Sequence, residues 1–280
     1  MTQLAQDRSF RIAQHRSSYP ADWYIEDDEP VSQSIEHQAR ERRMQSSLLA
    51  WKARIGRDDL VIGCELACRW DESHPGVGVD PDVFVVEEPP RDAHGDVRSL
   101  RTWERGHRPP LLAIEIVSYS RPKKDYSQSP EKHNLLGTTE LWVFDPELHG
   151  HSKEQPPVRL QMFQRETNAE LVQTYAGDGP VRSEVLDAWV SVVDNDLVIS
   201  NDREGKDRWL TLEEEAQQRA NEALQRADEE ARRADEAAKR ADEAAKRADE
   251  AARRAENERI EKENALARIA QLEALLAQRK

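Results

Sequence analysis

The chain has 280 residues, of which 34% are charged, and its formal net charge at pH 7 is −14. Residues 1–210 carry −11 of this charge, whereas residues 211–280 carry −3 and contain no aromatic residue, proline or glycine. This composition excludes a membrane protein, because no segment reaches the roughly 18 to 20 consecutive apolar residues of a membrane helix and the N-terminus lacks a secretory signal. We expect a cytoplasmic protein with one domain, residues 31–210, between an N-terminal arm, residues 1–30, and a charged helical tail, residues 211–280.

The first predicted helix follows the polar arm. Ser32 or Ser34 is a suitable N-cap, and the stretch from there to Ile55 contains neither proline nor glycine. Gly56 then supplies a typical stop signal. The pattern predicts a helix from about Ser34 to Ile55.

Strands dominate the rest of the domain. The runs Leu111–Val117 and Glu140–Phe144 are almost entirely apolar, as expected of strands that are buried on both faces. Residues 87–110 form a proline-rich connecting loop, Pro130–Leu136 a short helix, and the section up to residue 210 is less regular. The other strand candidates are Leu60–Trp70, Pro81–Val86, Val158–Phe163 and Glu170–Tyr175. This order predicts an α/β fold with a mixed central sheet covered by helices.

The two cysteines lie four residues apart in the Leu60–Trp70 segment. On one strand, Cys64 and Cys68 share a face at a distance of about 13 Å, which is too far for a disulfide. We expect both to be reduced thiols in the core rather than metal ligands.

Two acids stand out against the apolar strands. Glu115 interrupts the run Leu111–Val117, where an unpaired carboxylate is very costly, and Asp82 begins the preceding strand directly after Pro81. A structural salt bridge is one way to compensate Glu115. Two acids on adjacent strands favour a second explanation, a hard divalent cation such as Mg²⁺ or Mn²⁺ between them.

The same residues carry a family resemblance. Pro81-Asp82 followed by Glu115 resembles the PD…(D/E)xK signature of nucleases with the restriction-endonuclease-like fold. The longer ordered series is similar to the Uma-type (Uma-two) family of restriction endonucleases over about residues 30 to 220. It comprises Ser34-x-x-His37, PDVFVV, LLAIEIVSYS, Lys124-Asp125, Glu131-Lys132, Gly137, ELWVFDPE and RWLTLEEEAQQRA. The resemblance implies a restriction-endonuclease-like sheet flanked by helices.

The resemblance also implies the members of a catalytic site. Asp82, Glu115 and the carbonyl of Ile116 would hold the metal ion, Mg²⁺ or Mn²⁺. Glu36 would match the acid that the first helix contributes in many nucleases of this fold, although an acid in a first helical turn is also a favourable partner of the helix dipole. Asp125 matches an acid that precedes the lysine-bearing helix in the family, and a turn or cap explains it equally well.

Two departures from the family pattern affect the expected activity. Val117 occupies the place of the signature lysine, and His133 stands where the family usually has tyrosine. The family often carries its lysine on the following helix, so Lys132 is the candidate for the catalytic ammonium. Lys123 and Lys124 are alternatives, and a solvated surface lysine is the competing interpretation of Lys132.

These residues predict an Mg²⁺-dependent DNA endonuclease that hydrolyses phosphodiester bonds. The acidic body of the protein argues against DNA binding, which depends largely on lysine and arginine contacts to phosphates. Arginines cluster in the first helix and in the 87–110 loop and could form a local contact surface. The alternative hypothesis is a catalytically inactive nuclease fold that serves as an interaction scaffold through its C-terminal helix.

The tail is a repeat with a seven-residue period from Arg226 onward. Alanines recur every seven residues, and acids precede bases by four residues, which is the better orientation for helix stabilisation. We expect a single helix of about 70 residues. Its end could form a coiled coil and make the protein a homo-oligomer, since larger apolar residues appear there: Ile260, Leu266, Ile269, Leu272, Leu275 and Leu276.

Overall fold

The computed structural model describes residues 17–25, 34–120, 122, 124–150, 157–165 and 170–277, with side chains up to residue 272. The chain divides into two compact units, residues 1–215 and residues 216–280. The first unit contains every strand of the described chain, and the second belongs to the C-terminal helix. No described helix combines the length and apolar character needed to cross a membrane.

Helix α1 spans Ile35–Ile55 and agrees with the sequence prediction at both ends. The Ser34 hydroxyl accepts a hydrogen bond from the His37 N–H and caps the first turn. Gly56 ends the helix in the left-handed conformation, with φ of 65°. The apolar stripe Met44, Leu48 and Trp51 packs against the central sheet.

The central sheet is mixed and has six strands in the order β1-β4-β6-β7-β8-β9. The pair β6 and β7 is parallel, and the other neighbours are antiparallel. Helix α2, Ser129–Leu136, connects the parallel pair. The six strands are β1 Leu60–Gly63, β4 Val83–Glu87, β6 Leu112–Ile116, β7 Glu140–Phe144, β8 Leu160–Arg165 and β9 Leu171–Gly177. The fold is therefore the predicted α/β class with a mixed central sheet.

Two three-stranded sheets complete the domain. The largest core cluster joins one face of the central sheet to α1 and to the sheet β10-β11-β12. Leu136 of α2 lies in a second cluster, on the opposite face, together with Phe84 and Val86 of β4. The six strands are β2 Ala67–Arg69, β3 Gly78–Val79, β5 Ser99–Arg101, β10 Val181–Ser183, β11 Ala188–Val193 and β12 Asp196–Ser200.

The predicted strand Leu60–Trp70 is two strands. The break falls after β1, where Glu65 adopts a positive φ of 53°, which is incompatible with a continuous strand. Its consequence is that Cys64 is half-buried while Cys68 is fully buried, and both are free thiols. The single-strand spacing assumed for the two cysteines was wrong, although their reduced state agrees with the prediction.

Part of the N-terminal arm is packed against the domain. Tyr19 and Trp23 are buried and form a cluster with Val77 and with Leu135 of α2. A short 3-10 turn, Ala21–Trp23, precedes the bridge that Tyr24 forms with Val77. These large aromatic side chains explain why a segment that reads as polar in composition is ordered in residues 17–25.

Helix α3 runs from Leu212 to Ala277. It begins with a capping box, because the Thr211 hydroxyl accepts from the Glu214 N–H and the Glu214 carboxylate accepts from the Thr211 N–H. Farther along, acid–base pairs four residues apart follow its surface, among them Asp235 with Lys239 at 2.7 Å. The helix agrees with the predicted tail, and the side chains of Leu275 and Leu276 lie outside the described residues.

Candidate active site

The sheet register places Asp82 and Glu115 side by side. Strands β4 and β6 are antiparallel with Val83 opposite Ile114, so one step further sets Asp82 opposite Glu115. Directly opposed residues of antiparallel strands share a face. Asp82 shares this face with Phe84 and Val86, because every second residue of a strand points the same way. Phe84 and Val86 pack against Leu136, so α2 covers this face.

Asp82 is held by the backbone of the neighbouring strand. Its Oδ2 accepts a hydrogen bond from the N–H of Ile116 at 2.5 Å. The side chain is 16% exposed, which leaves it at the border between the sheet and solvent. Ile116 therefore contacts the acid through its N–H, and the metal-binding role of its carbonyl stays a prediction.

Glu115 is buried beside a histidine. It is 1% exposed, and its Oε1 lies 2.8 Å from Nε2 of His133, whose Nδ1 lies 2.9 Å from the Thr138 hydroxyl. Burial, followed by the negative charge of Asp82, raises the pKa of Glu115 to about 8. Burial, followed by the charge of Lys132, lowers the pKa of His133 to about 3, which favours the neutral imidazole and makes its contact with Glu115 a hydrogen bond rather than an ion pair.

A third acid, Asp125, lies next to this pair in a π-helical turn that spans Lys124–Gln128. It is 4% exposed, and its Oδ2 accepts a hydrogen bond from the N–H of Ser118 at 3.4 Å. Burial, followed by the charge of Glu115, raises its pKa to about 7. Three neighbouring acids in this buried, low-dielectric environment are therefore stable in their ionised forms only when positive charge lies nearby.

Two lysines supply part of this positive charge. Lys132 of α2 is 3% exposed, so the interpretation of a solvated surface lysine was wrong. Its Nζ lies 5.5 Å from the centre of the Trp23 ring, and burial, followed by the charge of Lys124, lowers its pKa. For Lys124 burial acts in the same direction, but the charges of Glu115, Asp125 and Asp82 outweigh it and raise the pKa. Lys123 lies outside the described residues.

The residue at the signature lysine position explains why the ammonium groups come from elsewhere. Val117 is buried in an apolar cluster with Ala113, Leu141, Val143 and Phe163. A charged group at this position would lose these contacts and its hydration together. The positive charges that act on Glu115 instead belong to Lys124 and Lys132.

Helix α1 brings a different acid to the site than the one predicted. Glu36 is exposed in the first turn, whereas Glu41 is 5% exposed and faces inward. His37 lies between the two acids, with Nε2 at 3.0 Å from Oε1 of Glu41 and 3.4 Å from Oδ1 of Asp82. Glu41 therefore replaces Glu36 as the helix acid nearest to Asp82.

These three side chains form a possible metal cluster within the described residues. The ligand atoms of His37, Glu41 and Asp82 all lie within 4.8 Å of one another. Burial alone would lower the pKa of His37, but its contacts with Asp82 and Glu41 raise it to about 10. In the sequence, His37 stood out only as a motif residue without an assigned role, and Glu41 was missed. The signal was present, because polar residues four apart occupy the helix face that also carries Met44 and Leu48.

The arginines predicted to contact DNA are largely engaged in ion pairs. In α1, Arg40 lies 2.7 Å from Glu147, and Arg43 lies 3.4 Å from Glu214. In the 87–110 loop the pairs are Arg98 with Asp92, Arg101 with Glu104, and Arg108 with Glu87. Five arginines of these two clusters are thus paired with nearby acids, which weakens the attraction that each would exert on nucleic acid.

Comparisons with known proteins bear on this site. A family model described as Uma2, putative restriction endonuclease, matches residues 19–192, a range that includes α1, α2 and the whole central sheet. Among solved structures, the chain is similar to one described as a putative nuclease belonging to DUF820 from Anabaena variabilis. That similarity has 18% identity and a TM-score of 0.41, and it covers 59% of this chain and 82% of the other. No curated protein matches the chain.

Proposed function

Because this chain belongs to the Uma2 restriction endonuclease family, we propose that it is a metal-dependent endonuclease that hydrolyses phosphodiester bonds in DNA. One observation carries the proposal. Asp82 and Glu115 lie opposite each other on one face of the central sheet, Asp82 at its border with solvent and Glu115 buried, with a buried lysine in electrostatic reach. The charge of Asp82 disfavours ionisation of Glu115, so the two acids are ionised together only when positive charge is added, which a divalent cation would supply.

The donor atoms suit a hard divalent cation. The N–H of Ile116 holds Oδ2 of Asp82, and His133 contacts Oε1 of Glu115, so the two carboxylates of the neighbouring strands are held side by side for an ion. Oxygen donors of this kind are those that Mg²⁺ and Mn²⁺ prefer. Such an ion, when bound, lowers the pKa of a water molecule and stabilises negative charge on a phosphate.

The chain's own groups would perform the remaining tasks. Asp82 and Glu115 orient the ion, and the carbonyl of Ile116 is the third predicted ligand. Lys132 positions the attacking water or neutralises charge that builds on the phosphate, and Lys124 is the alternative donor. Support for a catalytic lysine comes from the lowered pKa of Lys132, since burial makes its ammonium readier to exchange a proton than an exposed lysine.

Nicking of supercoiled plasmid DNA tests the proposal. The wild type is incubated with Mg²⁺, with Mn²⁺ and with EDTA, beside Asp82→Asn and Glu115→Gln purified in parallel. Metal-dependent cleavage by the wild type that both variants lose supports the proposed reaction. Equal cleavage by all three proteins would identify a contaminating nuclease, and cleavage that persists in EDTA would rule out metal dependence.

The inactive scaffold remains the second candidate, and the paired arginines favour it. Because these arginines are paired with acids and the net charge is −14, the electrostatic attraction between the chain and DNA is weak. In this case the domain would present α3 to partners without cleaving nucleic acid. Absence of cleavage with any divalent metal, on plasmid, linear and single-stranded DNA, would select this candidate.

We also propose that the end of α3 mediates homo-oligomerisation. The apolar residues Leu266, Ile269 and Leu272 are 65%, 52% and 56% exposed. In the sequence, Ile269, Leu272 and Leu276 follow the alternating three- and four-residue spacing of a coiled-coil seam. Light scattering on the full chain tests this proposal, with Leu266→Lys plus Ile269→Lys as the variant. A wild-type dimer or larger species that becomes monomeric in the variant supports it, and a monomeric wild type contradicts it.

A further inference from the structure

A second group of possible metal ligands lies beside the acids of the proposed nuclease site. Its members are His37 and Glu41, one turn apart on α1, and the Oδ1 oxygen of Asp82. The histidine Nε2 lies 3.0 Å from Oε1 of Glu41 and 3.4 Å from Oδ1 of Asp82. The PD…(D/E)xK signature uses only the aspartate of this group.

Burial makes the arrangement unusual. His37 is 9% exposed and Glu41 is 5% exposed. Among the described residues, the buried Nε2 and Oε1 atoms have no hydrogen-bond partner despite their short separation. The carboxylate oxygens therefore lie off the direction in which an N–H at Nε2 would point, and the contact is not a well-formed hydrogen bond.

The two distances from His37 are those expected between ligands of one ion. Nitrogen and oxygen ligands about 2.1 Å from a metal ion are separated by about 3.0 Å when they lie at right angles, and by about 3.4 Å at the tetrahedral angle. In either arrangement each ligand points at the ion and not at its neighbour. Both the observed separations and the missing hydrogen bond agree with this geometry.

The three groups are held in place by other contacts. Asp82 is fixed through its second oxygen by the N–H of Ile116, so Oδ1 keeps its direction. The His37 backbone is fixed by the capping bond to Ser34 at the start of α1. Residues four apart on a helix share a face, which sets Glu41 beside His37 without any loop. Such preorganisation lowers the entropic cost of binding.

We propose that His37, Glu41 and Asp82 form a divalent-metal site that selects Mn²⁺ or a later transition ion over Mg²⁺. The selectivity follows from the imidazole, because nitrogen ligands suit transition metals while Mg²⁺ prefers oxygen and retains its waters. Asp82 is shared with the proposed nuclease site, and the new site supplies the imidazole ligand that the signature lacks. The site is defined by binding, in which the ion takes the place of the proton that Glu41 and Asp82 favour on His37 and that proton is released to solvent. It stands whether or not the chain cleaves DNA.

Calorimetric titration of the full chain with Mn²⁺ and with Mg²⁺ tests the site. We expect Mn²⁺ to bind at least tenfold more tightly than Mg²⁺. His37→Gln and Glu41→Gln should each weaken Mn²⁺ binding at least tenfold and leave Mg²⁺ binding little changed. His94→Gln and Glu72→Gln remove the same chemical groups from exposed positions and serve as matched controls that retain wild-type affinity.

A second measurement separates lost ligands from lost folding. Bound Mn²⁺ is paramagnetic, and it should broaden the His37 ring resonances in the wild type and in Glu115→Gln. Unchanged Mn²⁺ affinity in both His37→Gln and Glu41→Gln would overturn the proposal, as would loss of all Mn²⁺ binding in Glu115→Gln alone. Binding with these properties but without plasmid cleavage would retain this site and reject the proposed nuclease activity.

Discussion

Glu115 and Glu140 are both acids in fully buried strands, and both are 1% exposed. At the start of β7, Glu140 accepts four hydrogen bonds. Trp142 Nε1 donates to Oε1 at 2.6 Å, and the N–H groups of Glu184 and Val185 and the Gln164 amide donate to Oε2. Near the end of β6, Glu115 has one neutral histidine and two acidic neighbours.

The difference shows how to distinguish a structural buried acid from a functional one. The hydrogen-bond donors around Glu140 replace water molecules that its carboxylate loses on burial. They also hold the turn after β10 against the central sheet. Around Glu115 the protein adds negative charge that Lys124 and Lys132 offset only in part, so this environment, unlike that of Glu140, favours the cation that we propose. Burial in an apolar strand is common to both residues, and the environment alone separates them.

The largest expected effect is on DNA cleavage. Glu115→Gln should reduce metal-dependent nicking about 1000-fold, because the amide cannot replace an anionic ligand. Glu140→Gln should retain cleavage per folded molecule. Rates of plasmid nicking, normalised by the folded fraction from circular dichroism, measure both. A similar loss in the two variants would remove the distinction between these acids.

The second prediction concerns folding stability, for which we expect the substitution of Glu140 to have the larger effect. Glu140→Ala should lower the free energy of unfolding by roughly 3 kcal/mol, since it leaves the buried indole N–H of Trp142 and the backbone N–H groups of Glu184 and Val185 without their acceptor. Glu115→Gln should cost much less. Urea unfolding followed by tryptophan fluorescence checks the pair, and a smaller loss for Glu140→Ala would contradict the structural role.

The third prediction concerns whether Lys132 or Lys124 supplies the catalytic ammonium group beside Glu115. Lys132→Met should lower nicking about 100-fold if its ammonium takes part in proton transfer, while Lys124→Met should have a smaller effect. The two lysines make a matched pair, since both act on Glu115. The reverse order would assign the role to the π-helical turn, and wild-type activity in both variants would exclude a catalytic lysine at either position.

The smallest effect is the pH dependence of stability. The pKa of Glu115 rises from 4.5 to about 8 on folding, so between these values the unfolded chain loses a proton that the folded chain keeps. The group therefore lowers stability as pH rises through this window, and above pH 8 its contribution is constant. In EDTA, Glu115→Gln should gain more than about 1 kcal/mol on the wild type between pH 5 and pH 8.5. Parallel curves for the two proteins would show that Glu115 titrates normally.

The sequence was most informative where local rules decide the structure. The cap at Ser34, the stop at Gly56 and the apolar run of β7 give elements whose ends agree with the predictions. Local rules failed at Glu65, because a positive φ in a residue other than glycine leaves no signal in the apolar pattern. The sheet β10-β11-β12 was missed for a related reason, since its strands are short and only partly buried.

The candidate site could be predicted in part for the same reason. Asp82 and Glu115 are visible as acids in apolar strands. The choice between Glu36 and Glu41 depends on which side of α1 faces the sheet, and that orientation is set by Met44 and Leu48 several residues away. The contact between Glu115 and His133 could not be predicted either, because His133 lies on another element. In the sequence it was noted only as a departure from the family pattern.

The acids of the site belong to hydrogen-bonded strands, whereas its lysines come from a separate turn and helix. An acid moved by one residue along its strand would point to the opposite face of the sheet, whereas lysines at two positions, Lys124 and Lys132, already act on Glu115. The ammonium can therefore migrate during evolution while the acids stay fixed. Relatives should keep the two carboxylates in register and differ in the position from which the amine arrives.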